Sequence, residues 1–217
     1  MSPHLAILLA IPLVAAVLSC IARSIPQTSR SIRLILGWGI LINKLLWYVH
    51  CIRQGWFRPP HGIPLELCDI TLWLTVASLL TLKASLFDVA YYFALAGSTM
   101  ALLTPDLGDA LPSYHAIEFF AAHGAVIAGI LFLVWGGILR PRPGSWFRAF
   151  IWLNVYALLI GLFNKVFATN YGYLCSKPAH ASLLDYCGPW PWYLLAEETL
   201  ALIFFYALGW PFRKEVS

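Results

Sequence analysis

Seven long apolar stretches fill nearly all of this 217-residue chain. Such a chain can hide its backbone polar groups only by folding into helices whose sides meet lipid or one another. Runs of roughly 17 to 25 mostly apolar residues are long enough to cross a bilayer, and they fall near 4–22, 31–51, 64–82, 86–103, 115–138, 147–169 and 190–210. The content of 60% hydrophobic and 11% charged residues, with a mean hydropathy of +0.75, lies far from that of soluble domains. With short connections, the sequence predicts an all-α, polytopic membrane bundle in a single domain over 1–217. The first stretch has neither a basic leader nor an A-x-A cleavage site in the usual place, so it reads as a mature helix and not as a signal peptide.

Basic residues orient the bundle, because cytoplasmic loops retain Lys and Arg. With the N-terminus outside and the C-terminus inside, the inner side holds Arg23, Arg30, Arg33, Lys83, Arg140, Arg142, Arg148, Arg213 and Lys214, and the outer side only Arg53, Arg58 and Lys177. Asp106 and Asp109 then lie in an outer connection that has no basic residue. The net charge of +4 reports this topology. No basic stripe with interleaved aromatics exists outside the inner loops, which excludes nucleic acid as a partner.

Polar residues inside the spans collect at one depth. Glu66, Cys68 and Asp69 open the third stretch, Glu118 and His123 lie in the first turns of the fifth, and Glu197 and Glu198 in those of the seventh. From the other direction, Asn43 and Lys44 approach the outer end of the second stretch, and Asn164 and Lys165 that of the sixth. At 1.5 Å per residue all sit roughly 6–12 Å inside the outer boundary. Ionisable groups at that depth must pair or line a cavity, which makes each a candidate site residue. Lys44 and Lys165 are expected to face Glu197 or Glu198, and the bland alternative is a structural clamp between helices.

In the third stretch Cys68, Thr71, Thr75 and Ser78 recur at helical spacing on one stripe. Such hydroxyls often bond back to the i−4 carbonyl. Cys68 differs, because the first turn of a helix favours a thiolate. Asp69 and Glu66 oppose that charge, and a lone buried Cys is commonly an inert apolar group.

The strings I-P-L-E-L-C-D at 63–69, E-F-F-A-A-H at 118–123, N-Y-G-Y-L-C at 170–175 and G-P-W-P-W-Y at 188–193 resemble those of YwaF-like bacterial membrane proteins, which are similar to the transmembrane protein 164 acyltransferases. The resemblance runs from about residue 35 to 212. It implies that Cys68 and His123 match the cysteine and the helix-borne histidine used to move acyl chains between phospholipids, in a bacterial inner or plasma membrane. Where the animal pattern has His, this chain has Asp69.

Acyl transfer fits the residue types: a thiolate holds the acyl group as a thioester while a histidine moves the proton. Asn43 or Asn164 is expected to donate to the developing oxyanion. Glu118 stands about 140° around the helix from His123, so Asp69 or Glu197 is expected to orient the imidazole. Asn170 and Tyr173, with Trp190, Pro191, Trp192 and Tyr193, either roof the cavity or anchor the interface. The rival reading is a small-solute or lipid carrier in which Lys44, Lys165, Glu197, Glu198 and Asp88 relay charge. No cofactor is expected. His50, His115, His123 and His180 have no i, i+4 pairing or H-E-x-x-H arrangement, which argues against haem or a metal, and His61 and His180 read as solvated loop residues. C-x-x-C is absent, which argues against a disulfide oxidoreductase. Cys175 and Cys187 either bridge their loop, a gain of about 2–3 kcal/mol, or remain reduced.

Overall fold

A computed structural model describes residues 3–108, 111–178 and 183–213; Asp109, His180 and Lys214 lie outside the described residues. Seven helices account for the seven apolar stretches among the residues described: α1 (Pro3–Ser24), α2 (Pro26–Arg53), α3 (Leu67–Thr81), α4 (Ala84–Leu103), α5 (Tyr114–Trp135), α6 (Ser145–Phe167) and α7 (Trp192–Gly209). All but α3 are long and apolar enough to cross a membrane.

Helix α3 starts three residues later than its apolar run. Pro64 disfavours helical backbone before it, and Glu66 takes extended backbone as the N-cap. Its 15 residues span only about 22 Å. Such a short helix is tolerated because protein surrounds it: α2, α4 and α5 all pack on α3. Leu72, Thr75, Val76, Ser78 and Leu79 are accordingly buried. The hydroxyls of Thr71, Thr75 and Ser78 donate to the carbonyls of Leu67, Thr71 and Leu74 at 2.7, 2.8 and 2.7 Å. The stripe therefore satisfies itself and offers no hydroxyl to a ligand.

Around α3 the helices approach through small residues. A Cβ on Gly37 of α2 would come within 2.7 Å of Leu80 on α3, and one on Gly124 of α5 within 3.1 Å of Ile11 on α1. Helix α6 packs on α4 and α7, so the α6–α7 hairpin hangs on the flank of the bundle. Only 11% of the α6 span is buried, against 67% of the α5 span. Helix α4 contains a π-helical stretch, Phe93–Ser98. At the end where α4 starts and α5 finishes, the buried Asp88 carboxylate receives Arg142 N at 3.1 Å, Arg142 Nε at 2.7 Å and Arg148 at 3.2 Å.

Candidate functional site

At the other end α2, α4 and α6 finish and α3, α5 and α7 start, and there a cavity of about 240 Å³ opens between α2, α3, α4 and α5. Cys68, Glu66 and Asp69 reach it from the start of α3, Lys44 and Trp47 from α2, Glu118 and His123 from α5, and Ser98 from α4. A second cavity of about 280 Å³ adjoins it, sharing Lys44, Trp47, Glu66 and Asp69, with Tyr48, Cys51, Trp56 and Tyr171 on its far walls.

Lys44 and Asp69 form the partition. Lys44 Nζ stands 2.6 Å from Asp69 Oδ1, with both side chains 9% exposed, and 5.0 Å from the centre of the Tyr48 ring. Glu118 is 7% exposed, and its Oε1 is buried without a hydrogen-bond partner among the described residues. A buried carboxylate oxygen left open is costly, so its presence beside empty space marks the cavity as more than a packing defect.

His123, 8% exposed, donates Nδ1–H to the Phe119 carbonyl at 2.8 Å, and its ring lies 4.2 Å from that of Phe119. A carbonyl only accepts, so the neutral imidazole carries its lone pair on Nε2. The expectation that Asp69 or Glu197 orients this ring is corrected: the i−4 carbonyl of its own helix does so. Cys68 is exposed on the first turn of α3, at the border of the cavity. The start of α3 is braced by Tyr156, which donates to Leu65 O at 2.9 Å, and by Gly172 N, which donates to Glu66 Oε2 at 2.9 Å.

Several residues of the expected polar layer lie elsewhere. Asn164 is 1% exposed and fully engaged in closing α6: Nδ2 donates to Tyr171 O at 2.9 Å, and Oδ1 accepts from Thr169 and from Tyr171 N. Asn170 shapes the following turn, with Oδ1 accepting from Cys175 N and Ser176 N at 2.9 and 3.0 Å. Asn43 and Glu197 line neither cavity, and Lys165 is exposed at the end of α6. Lys44 pairs with Asp69 rather than with a glutamate of α7, and Glu198 accepts from Asn154 at 2.6 Å. The physical reason is azimuth: equal depth does not bring side chains together when they leave their helices in different directions.

The Cys175 thiol is free and exposed, so the bridge to Cys187 is not formed. Trp190 and Trp192 are about 60% exposed and suit an interfacial anchor, whereas Tyr193 is buried and donates to Tyr173 O at 2.5 Å. Burial and the neighbouring Asp106 push the Tyr173 hydroxyl above its ordinary value, and it donates to Asp106 Oδ2 at 2.6 Å.

Two features of the site had no reading in sequence. Ser98, the last residue of the π-helical stretch of α4, is buried at the cavity wall; a Gly-Ser pair inside an apolar run was the available signal. Around the mouth, Trp47 stacks on His115 at 5.4 Å, and His50 meets Tyr114 at 4.6 Å and Trp56 at 5.5 Å. Trp47 and His50, three apart on one helix, were the visible half of that cluster.

The family model described as the TMEM164 family matches residues 1–208. The match takes in α1, which carries none of the four sequence strings. No curated protein and no solved structure matches the chain.

Proposed function

The chain belongs to the TMEM164 family, a family of multi-pass membrane proteins, and from that premise we propose that it is a thiol-dependent acyltransferase acting on phospholipid esters in a bacterial membrane. The observation that carries the reading is that Cys68 and His123 border one cavity while His123 keeps Nε2 as a base. The cavity end faces outward in this reading, on the nine-to-three distribution of basic residues.

The steps follow from those groups. His123 Nε2 takes the Cys68 thiol proton, and the sulfur attacks the ester carbonyl carbon. Lys44, whose ammonium has donors beyond the one facing Asp69, stabilises the oxyanion. Collapse breaks the ester C–O bond, His123 returns the proton to the leaving alcohol, and a lysolipid departs. The thioester on Cys68 is then attacked by the hydroxyl of a second lipid, whose proton passes to His123; attack by water gives hydrolysis instead. In hydrolysis, Glu118 Oε1, the open acceptor, holds the second hydrogen of the attacking water.

The purified protein is incubated with a phospholipid carrying a radiolabelled acyl chain, and the hydroxylamine-labile label on the protein is counted. Label on the wild type and none on Cys68→Ser supports the proposal. Equal label on both, or no label on either while substrate turns over, overturns it. A charge relay for a carrier finds less support, because Lys44 lines the cavity, Asp88 is clamped at the opposite end, and Glu198 and Lys165 lie on the α6–α7 flank.

A further inference from the structure

The α6–α7 hairpin presents a polar pair where a lipid-facing surface has no use for one. Asn154 lies nine residues past the start of α6, about 14 Å along its axis, and Glu198 eleven residues before the end of α7, about 16 Å along it. Both therefore sit near mid-membrane. Asn154 Nδ2 donates to Phe150 O at 3.0 Å and to Glu198 Oε1 at 2.6 Å, and the pair is exposed on the flank of the bundle. Neither residue lines either of the two cavities described above. Among the described residues, Asn154 Oδ1 and Glu198 Oε2 receive no hydrogen bond. Hydrocarbon cannot supply one either.

We infer that this face is the interface between two copies of the chain. The residues around the pair have the spacing of a helix-packing seam: Phe147, Ile151, Asn154 and Leu158 follow one another at steps of four, three and four on α6, and all are exposed. Leu195 and Leu202 flank Glu198 on α7 in the same way. The polar pair is self-complementary, an amide donor beside an open carboxyl oxygen. A two-fold axis along the membrane normal brings the same depth of two copies together, and there Asn154 Nδ2 of one copy can turn from its own Phe150 carbonyl to Glu198 Oε2 of the other. Asn and carboxyl groups act as such glue between membrane helices. A second copy supplies a donor to the open Glu198 oxygen of each chain, whereas an unrelated apolar helix supplies none. The inference is independent of the proposed chemistry, since Asn154 and Glu198 stand apart from Cys68 and His123.

The test uses the full chain, purified, fluorescently labelled and reconstituted into phosphatidylcholine vesicles at low density, with photobleaching steps counted. Two-step bleaching is expected for the wild type. Glu198→Gln keeps an acceptor oxygen at this place, so it should dimerise as the wild type does. The double variant Asn154→Leu/Glu198→Leu should associate at least tenfold more weakly. A photoreactive benzoyl-phenylalanine placed at Leu158 should cross-link two copies, and one placed at the equally exposed Ile35 on α2 should not. One-step bleaching of the wild type at every density overturns the inference, as does cross-linking that is equal at both positions. If the leucine variant fails to fold, Glu198→Gln and the cross-linking comparison decide.

Discussion

Two buried carboxylates at opposite ends of the molecule meet cations in different ways: one is locked among donors, and the other stands between two cavities. Asp88 accepts three donors from the 142–148 segment, one of them a backbone N–H, and lines neither of the two cavities at the other end. Asp69 has one cationic partner, Lys44, in a partition between two cavities, with the open Glu118 Oε1 on one wall. The first arrangement is saturated. The second is a pair with room beside it, which is what a site that must accept a substrate needs.

If the cavity end is the working end, its loss should be catalytic before it is structural. Cys68→Ala should abolish the acyl adduct and lower transfer by about 10³-fold or more, with thermal unfolding in detergent unchanged, because the thiol is exposed. A variant with lowered stability and retained transfer would break the comparison at once. His123→Ala should lower transfer by about 10²–10⁴-fold, the usual worth of a positioned base, measured as the initial rate of label transfer between lipids.

Stability effects sharpen the contrast at the next level. Lys44→Met strands Asp69 and should destabilise the protein by about 3–5 kcal/mol. The double change Lys44→Met/Asp69→Leu should recover most of that loss without recovering transfer, and full recovery of transfer would remove Lys44 from the site. Asp88→Asn should cost less, about 1.5–3 kcal/mol, because the arginines it releases are about half exposed and can turn to solvent. Its readout is unfolding in detergent, with transfer per folded molecule unchanged. Thr75→Val should be smallest, at or below about 1 kcal/mol, because its hydroxyl only bonds back within α3.

Much of the fold was legible because membrane burial writes itself into composition. The helix bounds fall within a few residues of the apolar runs, save at α2, which starts five residues before its run, and at α3, where Pro64 and the Glu66 cap delay the start by three. Cys68, Lys44, Asp69, Glu118 and His123 were all named from depth and resemblance, and all five line the cavity. Asn43, Asn164, Lys165 and Glu197 were named on the same depth argument and do not, nor does Asn170, expected to roof the cavity. Depth follows from counting residues along a helix, whereas direction around the axis depends on which neighbour each helix meets. Ser98 shows the same limit, since it reaches the cavity wall from a π-helical turn of which the sequence carries only a Gly-Ser pair as a sign.

By itself, then, the sequence determined the solvent, the number of long helices, their approximate ends and the depth at which polar groups gather, since each follows from hydropathy and the fixed rise of a helix. Only the tertiary structure decided that α3 stands at the centre with α6 and α7 on the flank, that Lys44 answers Asp69, and that a backbone carbonyl holds the His123 tautomer. Those outcomes depend on the rotation of each helix against its neighbours, and rotation is settled by packing between residues far apart in the chain.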